Sequence, residues 1–112
     1  MKELTAVFNV SISDEILELL RSRGVEEYTL FPRCHGVGKV TGPRNDDHTW
    51  PGFNATVIAV VDDDVARRAM EALQEFREGT GGRKAGVFAY TKGVDSTLAP
   101  PSPPDAAARG PR

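Results

Sequence analysis

Phe53-Asn54-Ala55-Thr56-Val57-Ile58-Ala59-Val60-Val61 is the most apolar run of the chain. Side chains on a strand alternate between faces. Phe53, Ala55, Val57, Ala59 and Val61 therefore lie on one side, and Ile58 and Val60 on the other. A strand that is apolar on both sides implies burial on both sides. Asp62, Asp63 and Asp64 follow at once and suit the positive end of a helix dipole, as a cap rather than a metal cluster. Val65, Ala69, Ala72, Leu73 and Phe76 then recur at helical spacing, and Gly79 closes the helix. The run predicts a central strand feeding a helix.

Working outward, Leu4, Ala6, Phe8 and Val10 alternate with Thr5, Val7 and Asn9, which predicts a first strand. Ser11 and Ser13 are candidate N-caps, with Asp14 and Glu15 in the first turn of a helix. Ile12, Ile16, Leu19, Leu20 and Arg23 follow helical spacing, and Gly24 sits where a helix wants a left-handed residue. Val25–Arg33 reads as a second strand, in which Pro32 cannot donate a ladder bond and so marks an edge or an end. Gly79-Thr80-Gly81-Gly82-Arg83-Lys84 leads to a last strand at Ala85–Thr91.

The order is strand, helix, strand, strand, helix, strand. With right-handed crossovers this makes a ferredoxin-like βαββαβ sandwich of the α+β class, a four-stranded antiparallel sheet with two helices on one face. The other face of that sheet is left bare, yet its central strand is apolar there too. A partner sheet is the expected cover, and three copies can close around an axis, so a homotrimer is expected.

The chain has 112 residues and a net charge of −2, with no basic stripe, which argues against nucleic acid as a partner. The single cysteine, Cys34, excludes an intrachain disulfide and suits a reducing compartment. No run reaches the about 18 apolar residues of a membrane span, and the first residues lack a leader pattern, so no membrane insertion and a cytoplasmic location are expected. Five of the eight prolines fall after Leu98, where little could enter a core. The folded domain is read as residues 1–94, and residues 95–112 as a disordered Pro/Ala-rich tail.

Between Cys34 and Gly52 four glycines and two prolines break all periodicity. Structureless loops longer than about 12–15 residues are uncommon in compact domains and are usually functional or disordered. Residues 35–52 are therefore a candidate effector loop. The Gly-rich segment before the last strand can expose backbone N–H groups beside Arg83 and Lys84, which suits a phosphate or another anion. It is no Walker motif, and the plain alternative is a solvated turn that needs glycine.

The long loop, the capped helix after the third strand and the Gly-rich basic segment, with its Thr80-Gly81 and its Gly86-Val87-Phe88, together resemble the layout of PII signalling proteins. The resemblance covers residues 1–94 and rests on layout. It implies a trimer with ligand sites in the clefts between subunits. It also implies a non-catalytic regulator that acts on a partner protein, a transporter for example, through residues 35–52. Gly36, Lys39, Gly81, Gly82, Arg83 and Lys84 are the residues expected to hold an anionic ligand such as a nucleotide. The sequence departs from strict nitrogen regulators in three ways. The long loop holds no Tyr or Ser to modify, the only glutamine is Gln74, and Lys92-Gly93-Val94-Asp95-Ser96 lacks the Arg-x-Arg pair. It resembles a divergent relative within the PII and CutA group.

Cys34, His35 and His48 form a second constellation, since thiolate and imidazole are ligands for zinc or copper. Adjacent residues on a strand point to opposite faces, so Cys34 and His35 share an ion only where the strand has broken. A CutA-like metal-binding protein is the alternative this supports; a buried thiol with surface histidines is the plainer reading. Trp50 is either a binding anchor or folded onto its own strand base. An acylphosphatase-type enzyme ranks third, because Arg83 and Asn54 fall in no recognisable motif.

Overall fold

The computed structural model describes residues 1–36, 53–79 and 86–98. The elements are β1 (Lys2–Asn9), a 3-10 turn (Val10–Ile12), α1 (Ser13–Ser22), β2 (Thr29–Cys34), β3 (Asn54–Val61), α2 (Asp63–Glu78) and β4 (Val87–Gly93). The four strands form one antiparallel sheet in the order β2-β3-β1-β4. This is the expected ferredoxin-like sandwich. β3 lies inside the sheet and Pro32 lies on the edge strand β2, as their sequences require.

Both helices pack on the same face. Leu4, Ala6, Phe8, Ala55, Val57 and Ala59 rise from the sheet to meet Ile16, Leu20, Val65, Ala69 and Leu73, and all are buried. Burying a large aliphatic or aromatic side chain is worth roughly 1.5–3 kcal/mol, so this layer is the main source of stability.

Four local expectations shift. β1 ends at Asn9 rather than running to Val10, because the Asn9 side chain accepts a hydrogen bond from the Ser11 amide at 2.8 Å and turns the chain into the 3-10 segment. Asn9 is thus the capping residue, in place of Ser11 and Ser13; α1 itself begins at Ser13 without a side-chain cap. The second strand begins at Thr29, not Val25. Gly24 takes φ +105° and lets the Gly24 and Val25 amides bond back to the Arg21 and Leu20 carbonyls, each at 3.0 Å. Val25 then folds under the helix end as a fully buried core residue instead of extending. The last strand is displaced to Val87–Gly93.

At α2, Asp62 occupies the cap position without a side-chain bond. Asp63 pairs with the Met1 ammonium at 2.8 Å, and Asp64 with Arg67 at 2.5 Å and Arg68 at 3.2 Å. These acids serve the first turn of the helix and its surface ion pairs.

Candidate ligand site at the loop end of the sheet

Strand register decides which residues meet. Asn9 pairs with Asn54, Cys34 with Asn54, and Phe8 with Val87. The end of β1, the end of β2, the start of β3 and the start of β4 therefore share one end of the sheet. Residues 37–52 leave at Gly36 and return at Phe53. Residues 80–85 leave at Gly79 and return at Gly86. The long segment and the Gly-rich segment are thus rooted at the same end of the sheet, with β1 between the β3 and β4 roots.

The roots themselves are tied down. β2 pairs with β3 from Thr29 to Phe31, loses register, and regains it at Cys34. The shift falls at Pro32, which has no N–H to give the ladder. It also places Phe31 and Cys34, three apart, on the same face. The Cys34 thiol donates to the Asn54 carbonyl at 3.3 Å and lies 3.4 Å from the Thr56 hydroxyl. Arg33 stacks its guanidinium 4.4 Å from the centre of the Phe53 ring, and His35 meets the same ring edge-on at 5.0 Å. The Phe53 carbonyl accepts from the Val10 amide at 3.0 Å, which joins this cluster to the 3-10 turn that follows β1. Gly36 lies so close to the Asn54 side-chain amide that a Cβ there would collide with it.

Of the residues expected to hold an anion, Gly36 stands at this loop end; Lys39, Gly81, Gly82, Arg83 and Lys84 lie outside the described residues. Of the expected metal ligands, the Cys34 thiol and the His35 ring both engage β3 or its approach, and His48 lies outside the described residues. Among the described residues no three His, Cys, Asp or Glu side chains gather into a metal-binding group. Sequence spacing does not single out Asn9 or Phe53 at this end of the sheet, since each reads as an ordinary strand position, and Asn54 enters only through the acylphosphatase-type alternative.

Beside Gly86, α2 and β4 leave a groove of about 190 Å³ lined by Met70, Leu73, Arg77, Val87 and Phe88. Small-molecule pockets run from roughly 300 Å³ upward, so a ligand here needs a second wall. A larger groove of about 590 Å³ lies along α1, but Asp14, Glu18 and Glu26 line it and Arg21 within it is already paired with Glu18. That surface repels anions.

A family model, Nitrogen regulatory protein P-II, matches residues 1–91. The chain belongs to that family. Among solved structures, a PII-like signalling protein from Thermus thermophilus is 27% identical, with a TM-score of 0.60 over 81% of this chain and 83% of its own. CPII, a nitrogen regulatory PII-like protein from Thiomonas intermedia, is similar in fold in two states. Bound to ADP, AMP and bicarbonate, it is 20% identical with a TM-score of 0.58 over 87% of this chain and 94% of its own. In its apo form the values are 24% and 0.57, over 83% and 89%. No curated protein matches the chain. For a P-II family member, no helix among the described residues being long and apolar enough to cross a membrane is in keeping with the compact sandwich.

Proposed function

We propose that this P-II family chain is a non-catalytic cytoplasmic regulator. It binds a small anionic ligand, an adenine nucleotide first, at the loop end of the sheet in clefts between three subunits. Binding changes how residues 35–52 engage a partner protein, for which a transporter is the first class to test. The observation that carries this reading is the register that roots both segments at one end of the sheet. An anion held by the Gly-rich segment would lie at the same end of the sheet as the root of the long one, across β1 from it. Such a switch works only if the ligand binds the two states of the long segment differently.

The trimer draws support from the helix-free face. Phe31, Thr56, Val7 and Phe88 form a row across all four strands there, with Thr29, Ile58, Thr5 and Tyr90 as the next row. Phe88 is 64% exposed, Phe31 48% and Tyr90 40%, and the Phe88 and Tyr90 rings sit 6.0 Å apart. An apolar aromatic surface of this kind is normally covered. Phe88 also lines the 190 Å³ groove at the β4 edge, so a copy that packs past that edge would supply the second wall the groove lacks.

CPII, a likeness of fold, makes ADP, AMP and bicarbonate the first ligands to try. Native mass spectrometry of the full chain with these ligands, ATP, zinc and copper tests the reading. The expected result is a trimer mass with nucleotide bound. A monomer, or a trimer that binds only metal, would overturn it.

A further inference from the structure

The edge strand β2 has a gap in its ladder one step before its last pair, close to where the chain departs into residues 37–52. Pro32 has no N–H, and the register slips between Phe31 and Cys34. Main-chain pairing with β3 resumes only at Cys34–Asn54, where the thiol also bonds the Asn54 carbonyl, so side chains share the work of holding Arg33–Gly36 against Phe53–Asn54. Phe53 is the residue on which the side chains converge. The Arg33 guanidinium lies over its ring at 4.4 Å, the His35 ring meets it at 5.0 Å, and its carbonyl is fixed to Val10 at 3.0 Å.

We propose that Phe53 is a positioning residue. With Arg33 and His35 it forms a cation–aromatic clasp that bridges the gap in the ladder between Phe31 and Cys34 and fixes the root of the long segment, and with it Gly36, at the loop end of the sheet. The proposal rests on the function proposed above only for its consequence, ligand affinity; the clasp itself is a property of described side chains. Its geometry suits the work. A planar guanidinium can cover an aromatic face, which an ammonium on a flexible stem does less well. The ring is half-buried and the Phe53 carbonyl holds the Val10 amide, so pinning Phe53 ties the start of β3 to the end of β2 and to the turn after β1.

The test compares Phe53→Leu, which keeps apolar bulk but loses the ring, with Phe53→Tyr, which keeps the ring. Arg33→Gln is the partner variant. The readout is trypsin cleavage after Lys39 and Arg44 in the full chain, beside Tm and ADP affinity by calorimetry. An exposed cation–π contact corresponds to about a two- to fivefold change in an opening equilibrium. Cleavage in Phe53→Leu and Arg33→Gln is therefore expected to speed up by about that factor. Phe53→Tyr should match wild type, and combining Phe53→Leu with Arg33→Gln should add little to either alone. ADP should bind more weakly in the same variants. Unchanged cleavage in Phe53→Leu overturns the clasp. So does a fall in Tm with cleavage rising equally at all basic sites, which would make Phe53 ordinary packing. If wild type binds no ADP, the proposed function fails while the cleavage rates still decide the clasp.

Discussion

The side-chain amide of Asn54 fills the space that any Cβ at position 36 would need. Gly36 is not a conformational glycine: among the described residues only Gly24 has a positive φ. Its lack of a side chain is a matter of room. Asn54 in turn sits between Cys34 and Asn9 in the register, so displacing it disturbs three strands at the loop end.

Gly36→Ala is expected to force Asn54 to rotate, at a cost of up to about 1–2 kcal/mol, the lower range for overpacking. The second change Asn54→Ala removes the colliding amide and should recover most of that loss. Urea unfolding of the two single variants and the double checks it. Equal stability of Gly36→Ala and wild type would mean Asn54 moves aside freely.

Phe88→Asp probes the helix-free face. At 64% exposure Phe88 contributes little to a lone subunit, so the monomer fold should survive. A charge in the row Phe31, Thr56, Val7 and Phe88 would be buried unpaired if another copy covers it. Light scattering is expected to report the mass of one chain for the variant and of three for wild type. A variant that stays trimeric places the interface elsewhere.

Acid sensitivity should come from the surface. A hydrogen bond from Arg67 holds the Asp64 carboxyl below its ordinary value, and one from Arg21 does the same for Glu18. A lowered native value gives stability that is present above the unfolded value, about 4, and lost as pH falls toward the lowered one. These groups are exposed, so salt should screen the effect. Tm is expected to be flat near neutrality, to fall gently below about pH 4, and to fall less in about 0.5 M salt or in Asp64→Asn. A steep loss between about pH 5 and 7 would point to a different titrating group.

The fold was legible because periodicity survives the ends of elements. The two-sided pattern of residues 53–61 marks an interior strand however its neighbours turn, and Pro32 marks an edge. Turns depart from the pattern where one side chain or dihedral overrides it. Alternation carries through Val10, but the Asn9 side chain takes the Ser11 amide and ends the strand. Val25 is β-branched and apolar, as a strand residue should be, yet the left-handed Gly24 sends it into the core. The site was half legible for a related reason. Glycines and basic residues can be read from composition, whereas Phe53 and Asn54 matter only because register sets them against Arg33 and Gly36. Register is a property of the pair of strands and of the bulge at Pro32, which no single stretch contains.

The basic pair in the Gly-rich segment separates the leading function from its rival. If an anion is held there, Arg83→Ala with Lys84→Ala removes two charge-assisted contacts. Each is worth roughly 1.5–3 kcal/mol, so nucleotide affinity should fall by about a hundredfold or more. Uptake of zinc or copper should not change, because neither residue is a metal ligand. In the rival case, Cys34→Ser with His48→Ala abolishes metal uptake and leaves nucleotide titrations untouched. The thiol change has a small structural cost of its own, since Cys34 bonds the Asn54 carbonyl; a serine hydroxyl can keep that bond, which makes it the right substitution. Calorimetric titration of wild type and both double variants with ADP, AMP, ATP, zinc and copper covers the cases. The nucleotide arm is expected to respond. On the proposed reading, the absence after β4 of the Arg-x-Arg pair that PII signalling proteins carry should leave Arg83 and Lys84 a larger share of the affinity. If wild type takes neither ligand class, residues 35–52 act on a partner without small-molecule input.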